Sequence, residues 1–252
     1  MKNFIDFTEK TVIIAGASSG IGKKTAEILN SYGAKIIAIA RREEKLQELI
    51  ANLGREDNKY YAVDLLKTSE IEGALKIIKN ENGPVDGLVY TSGIGDPRPV
   101  KMAKPDFLER MMRINFFGFY EMVRIITKKG FYNPGMSIVG ISSCASINGS
   151  KSQSVYSATK AAMDAAVRVM AQEYADKGIR INTVRPGMVK TAMYKGFLDS
   201  LGERGNELLL NKQFMGVGET EDIANAIAFL LSSVSNFTTG AHFSIDGGNT
   251  CH

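Results

Sequence analysis

The chain is poor in the residues that build disulfide frameworks, nucleic-acid stripes and membrane spans. Its two cysteines, Cys144 and Cys251, make no disulfide framework and point to a reducing compartment. No basic run is longer than two residues, so the net charge of +4 forms no stripe for nucleic acid, although the surplus suits an anionic cofactor or substrate. No apolar run approaches the ~18 residues of a membrane helix. The opening MKNFIDFTEK lacks the apolar core of a signal peptide. Neither nucleic acid nor membrane is an expected partner, and the cytoplasm is the expected location. His242 and His252 are the only histidines and neither is near Cys144 in sequence, so that thiol reads as packing, not as a nucleophile. No metal is expected. Internal repeats, low-complexity stretches and linkers are absent too, and residues 1–252 read as one domain.

What is present is ordinary soluble-protein chemistry, 44% hydrophobic and 23% charged, arranged as alternating strands and helices. Thr11–Ala15 (TVIIA) reads as a buried strand and runs straight into Gly16-Ala17-Ser18-Ser19-Gly20-Ile21-Gly22, which opens a helix. Strand, glycine turn and helix in that order make a phosphate cradle. Gly16 permits the turn, Gly20 lets backbone approach a pyrophosphate, and Gly22 lets the helix close on the sheet. The spacing is G-x-x-x-G-x-G, not G-x-G-x-x-G, and a turn without a ligand stays open on this evidence alone. Lys35–Ala40 is the next strand. Where an NAD site would set an acid on the ribose, this chain has Ala40, Arg41 and Arg42, which suits a 2′-phosphate; alternatively the arginines merely open a charged helix.

Further strands are expected at Tyr60–Val63, Val85–Tyr90, Met136–Ile141, Ile179–Val184 and Ala241–Ile245. Ser69-x-x-Glu72 reads as a helix-capping box, and one long helix is expected over Asp106–Lys129 with Asn115 inside it among phenylalanines. Another helix spans Gln153–Lys177, and Glu219–Leu231 a last one. The alternation makes a doubly wound α/β sheet with helices on both faces, whose ligands lie beyond the C-terminal ends of the strands.

The strand at Met136–Ile141 delivers Ser143, and the helix after it carries Tyr156 and Lys160 one turn apart on one face. An ammonium beside a phenol favours the phenolate, starting from a pKa near ~10. Bringing that value to neutrality takes ~4 kcal/mol, more than one half-exposed lysine supplies, so a second positive charge such as an oxidised nicotinamide ring would help. Such a tyrosine gives or takes a proton at a carbonyl or carbinol oxygen, and the Ser143 hydroxyl can bond the same oxygen. With nine tyrosines and twenty lysines in 252 residues, one Tyr-x-x-x-Lys pair is about what chance supplies, and a surface pair on an amphipathic helix fits equally well.

Taken together and in order, Gly16-x-x-x-Gly20-Ile21-Gly22, Asp64, Asn115, Ser143, Tyr156-x-x-x-Lys160 and Pro186-Gly187 with Thr191 resemble the short-chain dehydrogenase/reductase family over the whole chain. The resemblance implies a Rossmann-type sheet in strand order 3-2-1-4-5-6-7 and hydride transfer between a nicotinamide and a carbonyl or alcohol; with Arg41 read as the partner of a 2′-phosphate, the cofactor expected is NADP(H). It implies that Tyr156 is the general acid in reduction and the base in oxidation, that Lys160 lowers its pKa and holds the nicotinamide ribose, that Ser143 binds the substrate oxygen, and that Asn115 fixes a relay water. It places Gly16, Ser18, Ser19, Gly20 and Ile21 along the adenosine and pyrophosphate, Asp64 and Leu65 at the adenine, Gly93 at the ribose, and Pro186, Gly187, Val189 and Thr191 around the nicotinamide. Substrate contacts are expected from Ser143, Met188, Met193 and Tyr194, the last two in a candidate substrate loop over residues 192–218.

Two departures stand out. Ala15 replaces the family's usual Thr, and Tyr90-Thr91-Ser92-Gly93 replaces Asn-Asn-Ala-Gly, so the cofactor turn needs other support, with Thr91 and Ser92 as candidates. Within the family the pattern is similar to 3-oxoacyl-carrier-protein reductases; reductases of sugars, polyols, steroids or secondary metabolites share it. A nucleotide-binding regulatory protein without activity is the contrasting class, disfavoured because every proton-transfer position is filled. A homotetramer or homodimer is expected, since the helices at Asp106–Lys129 and Gln153–Lys177 carry more apolar residues than one sheet face needs.

Overall fold

The computed structural model describes residues 5–196 and 212–251. Seven strands form one parallel sheet: Thr11–Ala15 (β1), Lys35–Ala40 (β2), Lys59–Ala62 (β3), Val85–Tyr90 (β4), Tyr132–Ile141 (β5), Arg180–Pro186 (β6) and His242–Ile245 (β7), in the order β3-β2-β1-β4-β5-β6-β7. A parallel sheet is covered on both faces, which is why its strands read as unbroken apolar runs. Successive side chains alternate between two cores. Val12 and Ile14 point with Ile36 and Ala38 into one core, against Ala26 and Leu29 of the helix Gly20–Ser31 (α1), Leu46 and Leu49 of Glu43–Leu53 (α2), and Ile223 and Ile227 of Thr220–Leu231, here named α7. Ile13 and Ile37 point into the other, against Ile71 and Ile78 of Thr68–Asn82 (α3), Met122 of Gly118–Ile126 (α5), which follows Pro105–Met112 (α4), and Met163 and Val167 of Ser154–Glu173 (α6). The strand order reverses between β1 and β4. There the loops part and leave a crevice at the carboxyl ends of the strands. Among the described residues no helix is long and apolar enough to cross a membrane.

Several local expectations are corrected. Ser69 and Glu72 form no capping box: α3 begins at Thr68 after Lys67, with no side-chain cap. Its start is set by a turn at Asp64, whose carboxylate accepts from Leu66 N and whose carbonyl accepts from Lys67 N. Glu72 is drawn instead to Lys76, Arg124 and Lys128, three cations that hold its carboxyl down at about 2. The reciprocal cap occurs at α7, between Glu219 and Asp222. The long helix expected over Asp106–Lys129 is broken in its middle by a π turn, Arg113–Phe117, between α4 and α5. β5 starts at Tyr132, earlier than its apolar run, because Tyr132 pairs with Val85 before the register shifts toward Gly87. α6 ends at Glu173, and Ala175–Lys177 is a 3-10 turn.

The cofactor-side turn finds its support at Thr91. Its Oγ1 and its N–H both donate to the Ala15 carbonyl, each at 2.8 Å, so strand 4 grips the end of strand 1 without a hydroxyl at position 15. Ser92 closes the same corner: a Cβ on Gly16, at φ +93°, would lie 2.7 Å from Ser92 N and 2.6 Å from Thr91 Oγ1.

Candidate active site

The crevice is a cavity of about 490 Å³ running from the glycine turn to the start of α6. At its outer end Gly20 has φ +55° and no neighbour nearer than Thr191, 3.4 Å from where its Cβ would stand. Gly22 touches the Gly16 carbonyl so closely that a methyl there has no room. These close approaches are what a polyphosphate-binding turn at a helix N-terminus requires. Arg42 reaches across to this turn, its guanidinium donating to Ser18 Oγ at 2.9 Å and to Ser19 Oγ at 2.7 Å. Arg41 is the freer of the pair. It is 59% exposed and its nearest carboxylate, Asp64, lies 4.0 Å away, a separation and exposure at which an ion pair adds almost nothing.

At the inner end, β5 hands Ser143 to the crevice floor. Its Oγ accepts from Ala145 N at 3.1 Å, capping a short 3-10 turn over Cys144–Ser146, and its hydroxyl adjoins the Tyr156 phenol, whose ionised form it favours. Lys160 is 3% exposed, donates to the Ile141 carbonyl at 2.7 Å, and stands 5.8 Å from the Tyr156 ring centroid. Burial pushes Lys160 down to about 8, against the upward pull of Asp164 one turn further along α6. Asp164 is itself held by Thr183 and Arg185, each at 2.8 Å. Burial likewise pushes the Tyr156 phenol up to about 12, only partly offset by the nearby Ser143 hydroxyl. Burial thus works against ionisation of Tyr156, in line with the expectation that one lysine does not bring the phenol to neutrality without a second positive charge. Burial also raises the Cys144 thiol, in keeping with packing.

Asn115 lies one layer behind, fully buried in the π turn. Its Oδ1 accepts from Ile94 N at 2.8 Å, and its Nδ2 donates to the Ile94 carbonyl and to Thr159 Oγ1, both at 3.0 Å. Both amide protons are thus spent on the protein. Gly93 separates it from Lys160, since a side chain there would meet Asn115 Oδ1 at 3.1 Å and Lys160 Nζ at 3.5 Å.

The structure brings Gly16, Ser18, Ser19, Gly20, Ile21, Arg41, Leu65, Gly93, Pro186, Gly187, Val189 and Thr191 to the cavity wall, together with Ser143, Tyr156, Lys160, Met188, Met193 and Tyr194. Asp64 is not on that wall; Val63 and Leu65 flank it there, while its carboxylate faces the Leu66 turn. Of the substrate loop expected over residues 192–218, residues 197–211 lie outside the described ones. The chain returning from that loop is pinned by Gln213, which sequence reasoning missed. Its amide accepts from Met188 N at 2.8 Å and donates to the Met188 carbonyl at 3.0 Å. Asn148, Gln153 and Asn249 also line the cavity, and no motif marks them.

A glycine cradle at one end, two arginines beside it and a Ser–Tyr–Lys cluster at the other fit a nicotinamide dinucleotide, and they define a nicotinamide-dependent oxidoreductase. Comparison with known proteins agrees. A family model described as enoyl-(acyl carrier protein) reductase matches residues 16–250. The chain is 33% identical over 246 residues to a 3-oxoacyl-[acyl-carrier-protein] reductase of Rickettsia conorii, covering 97% of this chain and 98% of the relative. Among solved structures it is similar to a short-chain dehydrogenase/reductase of Brucella melitensis titled glucose/ribitol dehydrogenase, with a TM-score of 0.90 at 28% identity over 97% of this chain and 98% of that one. A short-chain type dehydrogenase/reductase of Mycobacterium ulcerans gives a TM-score of 0.89 at 26% identity, covering 98% and 92%. The chain belongs to the short-chain dehydrogenase/reductase family.

Proposed function

We propose that the protein is an NADP(H)-dependent carbonyl reductase of the 3-oxoacyl-carrier-protein reductase kind. The carrying observation is the convergence of Ser143, Tyr156 and Lys160 at the inner end of a crevice whose outer end opens beside Arg41 and Arg42. When bound, the nicotinamide supplies or accepts a hydride. The chain's own residues do the rest. Ser143 donates a hydrogen bond to the substrate carbonyl oxygen. Tyr156 gives its phenolic proton to that oxygen as the carbon–hydrogen bond forms, and the Lys160 ammonium stabilises the phenolate left behind. In alcohol oxidation the phenolate takes the carbinol proton, so the same three groups run the reverse step. Met188, Met193 and Tyr194 form an apolar wall for the rest of the substrate.

The test is the oxidation of NADPH by the purified protein against 3-oxoacyl thioesters, sugar ketones and steroid ketones. Turnover confined to the thioesters supports the substrate assignment. Turnover only of another ketone moves the substrate and keeps the chemistry. NADPH binding with no turnover on any of them would leave a nucleotide-binding protein without activity.

Cofactor choice is assigned to Arg41, which is free to pair with a 2′-phosphate while Arg42 braces Ser18 and Ser19. Charge-assisted hydrogen bonds are worth ~1.5–3 kcal/mol, so NADPH is preferred over NADH by ~10–150-fold. Arg41→Ala is expected to erase that preference in kcat/KM while leaving kcat nearly intact, because the contact is far from the hydride and persists through the transition state. Equal use of both cofactors by the native protein would sink the assignment.

The protein is proposed to work in the cytoplasm, where its free Cys144 and Cys251 stay reduced. It is also proposed to associate as a dimer or tetramer through the α4–α5 face, which leaves Leu108, Phe117 and Tyr120 exposed. Sedimentation at micromolar concentration is expected to show an oligomer, and a monomer there would refute it.

A further inference from the structure

We propose that Tyr90 is a positioning residue for proton transfer: its hydroxyl, donating to the Ile114 carbonyl at 2.6 Å, holds the π turn that sets Asn115 in place. The inference rests on reading Tyr156 as the proton donor. Tyr90 ends β4 where the family resemblance expects an asparagine, and it is fully buried. Its oxygen occupies a slot cut by Gly118, where any Cβ would collide with Tyr90 Oη. Its ring is fixed edge-on by Phe119, centroids 5.7 Å apart at 65°.

The π turn explains what the hydroxyl is for. The Gly118 N–H bonds the Arg113 carbonyl, five residues back instead of four. An extra residue in a helical turn displaces carbonyls from their usual donors, and a buried carbonyl without a donor is costly. Tyr90 supplies that donor from the neighbouring strand. Asn115, the next residue, then ties the Ile94 backbone to Thr159, which adjoins Lys160 on α6. Tyr90 thus fixes, through one carbonyl, the spacing between the Gly93–Ile94 wall and the helix that carries Tyr156 and Lys160. Burial keeps the Tyr90 phenol protonated far above neutral pH, so it holds the turn as a donor and exchanges no proton itself.

The test compares Tyr90→Phe, Gly118→Ala and Tyr156→Phe in the full-length protein, with NADPH and an active ketone. Tyr90→Phe keeps the ring and loses only the bond to Ile114. Its kcat is expected to fall roughly 10-fold or more, since small misplacements at a reacting centre are magnified. Both KM values are expected to move less than about twofold. The pH inflection of alcohol oxidation is expected at higher pH than in the native protein. Gly118→Ala, which displaces the same hydroxyl, is expected to show the same signature and carries the test if Tyr90→Phe does not fold. Native kcat and an unchanged pH profile in a folded Tyr90→Phe protein overturn the proposal, as does a lowered Tm without a change in kcat. If Tyr156→Phe itself stays active, the reading of the site has failed, and not the geometry of Tyr90.

Discussion

Tyr156→Phe is expected to fold, to bind NADPH as the native protein does, and to lose turnover by ~10²–10⁴-fold, the usual worth of a positioned general acid. The substitution removes one oxygen from a half-buried ring and leaves its packing in place. Lys160 keeps its own partner, the Ile141 carbonyl, so the helix start should not move. What disappears is the hydroxyl assigned to hand a proton to the developing alkoxide beside Ser143. Burial, eased only in part by Ser143, holds the phenol near 12, and an enzyme oxidising alcohols at moderate pH needs it far lower. The oxidation rate of the native enzyme should therefore rise with pH through an inflection well below ~10 once an oxidised, positively charged nicotinamide adds to Lys160. Steady-state kinetics with a competent ketone, beside a fluorescence titration of NADPH, would measure both halves. A Tyr156→Phe protein with most of its native rate would end the mechanism.

Lys160→Met should also separate activity from stability. Methionine matches the length and removes the ammonium, so kcat should fall by a factor comparable to Tyr156→Phe, with weakened NADPH binding because the lysine is also assigned to the nicotinamide ribose. The oxidation inflection should shift to higher pH. Stability should not follow. Lys160 sits at about 8 in the folded protein against the ordinary 10.5, so between those values the unfolded chain holds a proton that the folded one does not. Native stability contributed by this group therefore rises with pH across that window and is least below it. Removing the charge removes that term, and at neutral pH the variant should melt no lower than the native protein unless the lost bond to the Ile141 carbonyl outweighs it. Thermal unfolding at pH 7 and pH 9.5 would read the difference: the native protein should gain relative to Lys160→Met at the higher pH. A gap between the two that does not change with pH would show that Lys160 is not depressed by burial.

Much of the architecture was legible because it is written in local patterns. TVIIA and KIIAIA are unbroken β-branched runs, and a strand buried on both faces needs no more signal than that. The glycine turn was readable because Gly16 and Gly20 take positive φ, which few other residues tolerate. The Tyr156–Lys160 pair was visible because four residues make about one helical turn. The pattern in Ser69-x-x-Glu72 misled for a physical reason: Glu72 has three cations within reach in the folded chain, Lys76 on its own helix, Arg124 on α5 and Lys128 just after it, and only packing brings the last two near.

By itself, then, the sequence determined the alternation of strands and helices, the parallel sheet they must form, and which residue types stand at the carboxyl ends of its strands. Those properties depend on neighbours within a turn or two, and periodicity records them directly. Only the tertiary structure decided that Arg42 and not Arg41 braces Ser18 and Ser19, that Gln213 clamps Met188, and that Asp64 faces its own turn and not the cavity. It also decided that Asn115 sits in a π turn bonded by Tyr90, and that burial raises Tyr156 where the spacing to Lys160 suggested a fall. Each of those contacts joins residues that the crossovers bring together from different elements, and the solvent a side chain loses there depends on everything packed around it. No short window of sequence contains that information.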